Sequence, residues 1–233
     1  MPRKLFIHIP KNGGMTIRKS PLTRDQVVLA KPNMHISTDY TKRMHKAMHE
    51  NKEHEGNEHA RWRDWNVQLR EEYTAFAIVR NPWDRVASRY LFAKKVMLHE
   101  GTQPPDYIDA DSFESFLETR HEWGNKEYFW HRAIKGWYPA WDYVTDDDGK
   151  VRCDILRFEH YNSDVKSYFG LLQNPEPRNI TRVPNDHGRT GHGVGYKDLY
   201  TNETIQIVAD WYKKDIDHWG FDYDTSATRN YWK

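Results

Sequence analysis

Two short segments carry the residue types that grip anions. The first, Pro10-Lys11-Asn12-Gly13-Gly14-Met15-Thr16, follows the apolar run Leu5–Ile9. Its two glycines permit a sharp turn that brings backbone N–H groups close to an anion. A helix opening behind them adds the positive end of its dipole, Thr16 adds a hydroxyl donor, and Lys11 adds a full positive charge. The second, Arg80-Asn81-Pro82-Trp83-Asp84-Arg85-Val86-Ala87-Ser88, follows the apolar run Tyr73–Val79. Arg80 brings a planar fork that matches a phosphate, and Ser88 lies roughly two helical turns further along the same face. Together the segments suit one extended ligand with two separated anionic groups. Each also has a plainer reading: a glycine turn with a surface lysine, and an Arg80 paired to a carboxylate such as Asp84. The lysine precedes the glycines, which departs from GxxxxGK[ST] and argues against an ATPase or kinase loop.

The elements that must hold these segments alternate between strand and helix. Leu5–Ile9, Val27–Ala30 and Tyr73–Val79 are nearly continuous apolar runs, the pattern of strands covered on both faces. Thr16–Lys19 opens a helix, and Pro82 sits where the first turn of a second one, Trp83–Val96, tolerates it. Ser112–Arg120 places Phe113, Phe116 and Leu117 on one helical face. Thr201–Trp219 does the same with Ile205, Val208, Trp211, Tyr212 and Ile216. Trp141–Thr145 and Cys153–Phe158 flank Asp146-Asp147-Asp148-Gly149, which reads as a hairpin-like turn. Residues 37–59 are polar and helical in propensity. Residues 173–195, rich in Pro, Asn and Gly, form a long loop of the kind that often carries function. The alternation predicts an α/β protein, a P-loop-like three-layer fold with a central, mostly parallel sheet flanked by helices, in a single domain over residues 1–233. Ligands in such folds bind at the carboxyl ends of strands, where both segments fall.

Composition narrows the function further. Lys plus Arg total 35 against 34 Asp plus Glu, a net charge of +1 that gives no case for a nucleic-acid partner. Ten Trp, fourteen Tyr and nine Phe predict an aromatic-rich core. Cys153 is the single cysteine, so no internal disulfide can form and a reducing, cytoplasmic setting is expected. No apolar run is long enough to span a bilayer, so no membrane partner is expected.

The two segments resemble those of the sulfotransferases that use PAPS (3'-phosphoadenosine 5'-phosphosulfate), especially the carbohydrate O-sulfotransferase branch. Pro-Lys-x-Gly-Gly-x-Thr looks like that family's 5'-phosphosulfate loop, and the run from Val79 to Ser88 looks like its 3'-phosphate segment. Ile155-Leu156-Arg157-Phe158-Glu159 resembles a family strand. Tyr196–Tyr200, with the later Asp215–Phe221, resembles its closing segment. The resemblance implies that Lys11, Asn12, Gly13, Gly14, Met15 and Thr16 hold the 5'-phosphate and sulfate, and that Arg80 and Ser88 hold the 3'-phosphate. Met15 departs from the small hydroxyl residue common there, which removes one side-chain donor and spares the backbone ones. The expected reaction passes a sulfuryl group from PAPS to a hydroxyl-bearing acceptor, a carbohydrate or small molecule, and releases the bisphosphate PAP.

In-line sulfuryl transfer builds negative charge on the leaving 5'-phosphate, which a fixed lysine and N–H groups stabilise; Lys11 is expected in that role. No metal is required. The acceptor hydroxyl must lose a proton, and histidine titrates at a suitable pH. His35, between the second strand and a helix, is expected as base, because the carbohydrate branch has a similar histidine there. Arg189 and His192, in the long loop, are candidate donor contacts. His8, inside the first strand, reads as a satisfied core residue. His45, His49, His54 and His59 read as a solvated polar helix rather than a zinc site. From the residues alone two other readings stay open: a nucleotide kinase with an atypical phosphate loop, and a non-catalytic nucleotide- or glycan-binding module.

Overall fold

Four short strands run in one direction through the middle of the chain. β1 (Lys4–Ile7), β2 (Val27–Val28), β3 (Ala75–Val79) and β4 (Asp154–Arg157) pair in the order β2-β1-β3-β4, every pair parallel. The computed structural model describes residues 2–31, 59–99, 112–118, 138–175 and 195–224, with side chains of the long helix to Leu91. Leu5 is level with Ala75, Phe6 with Phe76 and Ile7 with Ala77, while Ala77 is level with Ile155 and Ile78 with Leu156. Because side chains alternate faces along a strand, this register sorts the core into two layers. Leu5, Ile7, Ala75, Ala77, Val79 and Ile155 pack on one side with the rings of Trp65, Phe116, Tyr143, Tyr212 and Trp219. Phe6, Val27, Phe76, Ile78 and Leu156 pack on the other with Ile17, Val165 and Phe169. Each ring or branched chain buried this way contributes about 1.5–3 kcal/mol, which offsets an otherwise very polar sequence.

The helices flank that sheet: α1 (Gly14–Lys19), α2 (Val67–Glu72), α3 (Pro82–His99), α4 (Phe113–Glu118), α5 (Ala140–Val144), α6 (Tyr161–Phe169), α7 (Asn202–Trp211) and α8 (Lys213–Trp219). This is the expected three-layer α/β arrangement. From β1 the chain steps to β2 on one side and then crosses to β3 on the other. The sheet therefore changes winding direction between β1 and β3, and the crevice beyond their carboxyl ends is where this architecture binds ligands. No helix among the described residues is long and apolar enough to cross a membrane.

Two expected elements come out differently. Residues 141–144 are not a hairpin arm but part of α5. The Asp215 carboxylate accepts from the N–H groups of Ala140 and Trp141 at 2.8 Å each, which caps the helix and overrides the strand preference of Trp, Tyr and Val. The turn survives, since Asp146 Oδ1 accepts from the Asp148 and Lys150 N–H groups, but its arms share only the bridge Thr145–Val151. β4 pairs with β3 instead. The single helix expected over Thr201–Trp219 is two, broken at Tyr212 (φ −111°, ψ 23°), whose buried ring anchors the bend.

Candidate active site

Beyond β1 the chain turns through Lys11-Asn12-Gly13 into α1, and two of those three residues are left-handed: Lys11 at φ 67° and Gly13 at φ 78°. Glycine adopts this freely, whereas a lysine pays about 1–2 kcal/mol and stays only where its surroundings hold it. Three contacts do so. Arg80 Nη1 donates to the Lys11 carbonyl at 2.7 Å, Asn12 Nδ2 to the Ile78 carbonyl at 2.7 Å, and the Tyr161 hydroxyl to the Gly13 carbonyl at 3.3 Å. The N–H groups of Asn12, Gly13, Gly14 and Met15 make no hydrogen bond to the described residues, which leaves four backbone donors around the turn. Thr16 is buried behind them and Met15 is half-buried.

Arg80, at the carboxyl end of β3, is 6% exposed. Its Nε donates to Asp84 Oδ2 at 2.7 Å, and its guanidinium lies 4.0 Å over the Phe158 ring. The plainer sequence reading, a pair with Asp84, is thus present. It leaves Nη2 without a partner among the described residues and fixes the plane in which that nitrogen points. Ser88, half-buried, sits two turns along α3. Asn81 holds the start of that helix, accepting from the Trp83 and Asp84 N–H groups at 3.0 and 3.4 Å.

The site is cationic at close range. Burial, then Arg80, then Arg89, push the Lys11 amine down to about 7, although the residue as a whole is only half-buried. Lys11 is therefore not the full, mobile charge its sequence position suggests; near neutrality its amine is half neutral until an anion arrives. Arg89, 4% exposed, is brought down to about 9, chiefly by burial. Arg85 ties the two corners together, donating from Nε to the Pro10 carbonyl at 3.1 Å and from Nη1 to the Tyr138 carbonyl at 2.8 Å.

A scan against protein-family models matches residues 4–223 to the Sulfotransferase family. The chain belongs to the sulfotransferase family. A search of curated proteins and a search of solved structures each return no match. Membership makes this protein a transferase of sulfuryl groups and implies a hydroxyl-bearing acceptor.

Of the sulfotransferase site residues read from sequence, Lys11, Asn12, Gly13, Gly14, Met15 and Thr16 line one corner, and Arg80 and Ser88 belong to the next. His35, Arg189, His192, His45, His49 and His54 lie outside the described residues. His8 is buried, as expected, but it is not satisfied: Nδ1 has no hydrogen-bond partner among the described residues, and burial foremost holds the ring far below the usual histidine value. The ring lies under Gly14, where an added Cβ would fall 2.1 Å from His8 Cδ2. Gly14→Ala should therefore lose about 1–3 kcal/mol of stability by overpacking, read as a lower urea midpoint. An unchanged midpoint would place His8 elsewhere.

Sequence reasoning missed Asn81, Arg85 and Glu159. Their common signal is a polar residue one or two places beyond a strand end, or one turn into the following helix. That position is legible only once the strand order shows which ends are neighbours.

Proposed function

We propose that this sulfotransferase takes its sulfuryl group from PAPS and passes it to a hydroxyl of a carbohydrate or small-molecule acceptor, releasing PAP. The observation that carries the reading is the hydrogen bond from Arg80 Nη1 to the Lys11 carbonyl, 2.7 Å long. It joins the glycine turn after β1 to the arginine corner after β3, so one ligand with two anionic ends spans neighbouring strand ends. On this reading Lys11, the N–H groups of Asn12 to Met15 and the Thr16 hydroxyl hold the 5'-phosphate and sulfate, and Arg80 and Ser88 hold the 3'-phosphate. Lys11 then stabilises the charge that grows on the 5'-phosphate oxygen as its bond to sulfur breaks. His35 accepts the proton that the acceptor hydroxyl releases as its oxygen bonds to sulfur. Arg189 and His192 supply further donor contacts. We assign the reaction to one domain acting without a metal, in a cytoplasmic setting that suits a single buried cysteine.

Binding of PAP tests the donor assignment. At about a hundred times its Kd, PAP should raise Tm by about 5–10 °C, while ATP with magnesium at the same concentration should do far less. Equal shifts from the two nucleotides would contradict a site shaped for the 3'-phosphate.

A further inference from the structure

The segment Arg157-Phe158-Glu159 at the end of β4 forms a third corner beside the other two. Phe158 carries the Arg80 guanidinium on its face, and an added Cβ on Gly13 would meet the same ring at 3.1 Å. The ring therefore fills the space between the glycine turn and the arginine. Glu159 reaches across to the next strand end, where its Oε1 accepts from the Asn81 N–H at 2.6 Å. Asn81 in turn caps α3 and donates from Nδ2 to the Asp222 carbonyl at 2.7 Å. Glu159 is thus joined by one hydrogen bond to the residue next to Arg80, which caps the helix that carries Ser88.

Resting on the donor reading above, we propose that Glu159 is a positioning residue that brackets the 3'-phosphate corner and takes up a proton when the bisphosphate binds. The charged and titratable groups that face it are Arg80 and Asp84 from the α3 corner, Arg157 from β4, and the Tyr196 hydroxyl from the turn before α7. Burial, the largest cause, pushes Glu159 up to about 7; Asp84 pushes the same way, while the Asn81 N–H, its own N–H and Arg80 pull it down. Glu159 Oε2 and Asp84 Oδ1 are both buried without a hydrogen-bond partner among the described residues. Asp84 pairs with Arg80 directly, and Glu159 lies close enough to feel its charge. A phosphate arriving at Arg80 adds further negative charge, which disfavours ionised Glu159 and draws a proton onto it from solvent. The sign follows: affinity for the bisphosphate is highest where Glu159 is protonated and falls as pH rises through about 7.

The test is the pH dependence of PAP affinity in wild type, Glu159→Gln and Glu159→Ala. Glutamine can still accept from Asn81 but cannot titrate. The expected result is that Glu159→Gln keeps the wild-type affinity at pH 6 and loses about fivefold of the rise in Kd between pH 6 and pH 8. Glu159→Ala, with no bracket, should bind PAP about tenfold more weakly throughout. A Gln variant with the wild-type slope, or an Ala variant with wild-type affinity, would overturn the proposal while leaving the donor reading intact. No PAP binding by the wild type would remove the donor reading and this proposal with it. Should either variant fail to fold, an infrared difference spectrum of the wild type decides: a protonated-carboxyl band must grow when PAP is added at pH 7, and its absence rejects proton uptake.

Discussion

Lys11→Ala should lower turnover by roughly 10²- to 10³-fold, the usual cost of removing one group that stabilises developing charge on an oxygen. The protein should stay folded. Alanine at φ 67° carries the same backbone strain as lysine, and the hydrogen bond from Arg80 goes to the backbone carbonyl rather than to the side chain. The amine itself is held down to about 7 by burial and by Arg80 and Arg89, so in the absence of ligand it is a repelled group. Its folded value is below its unfolded one, so the unfolded chain binds the extra proton between about 7 and the ordinary lysine value, and stability rises with pH through that window. Lys11→Ala removes that dependence. The same shift gives a kinetic signature: the charged amine attracts the donor, so kcat/KM for the donor should fall as pH climbs above about 7 in the wild type. Turnover of Lys11→Ala within about threefold of wild type would take the lysine out of the reaction.

Arg80→Ala should raise Kd for PAP by about 10- to 100-fold, the loss of a charge-assisted hydrogen bond of about 1.5–3 kcal/mol. It should also destabilise the fold by about 3–5 kcal/mol, because Asp84, with its partner removed, is left as a buried, uncompensated charge. Binding and stability can be separated. Arg80→Ala combined with Asp84→Asn should regain most of the stability, seen as a recovered denaturation midpoint, and none of the affinity. If the double variant binds PAP as the wild type does, Arg80 is a structural residue alone.

How much of this was legible beforehand depends on whether the signal was local. The glycine turn, the Arg80 corner and the helix behind Pro82 announce themselves through short apolar runs ended by Pro, Gly and a charged residue, and these runs are β1, β3 and the start of α3. The failures were non-local. Trp141 to Val144 have strand-forming side chains, and only a carboxylate 74 residues away, Asp215, makes them a helix. Tyr212 is buried as helical periodicity has it, yet the backbone leaves the helix there (φ −111°, ψ 23°), a break that periodicity does not reveal. Within the site, the residue types at Lys11 and Arg80 were visible but their electrostatics were not. The lowered amine of Lys11 and the raised carboxyl of Glu159 arise because three parallel strand ends bring them beside Arg80, an arrangement set by the order β2-β1-β3-β4.

A crystal structure of the protein with PAP tests the central claim most directly. The 5'-phosphate should lie within hydrogen-bond distance of Lys11 Nζ and the N–H groups following it, with the 3'-phosphate on Arg80 Nη2 and Ser88 Oγ of the same protein molecule. PAP bound at one corner with the other pointing into solvent, or bound away from both, would contradict it.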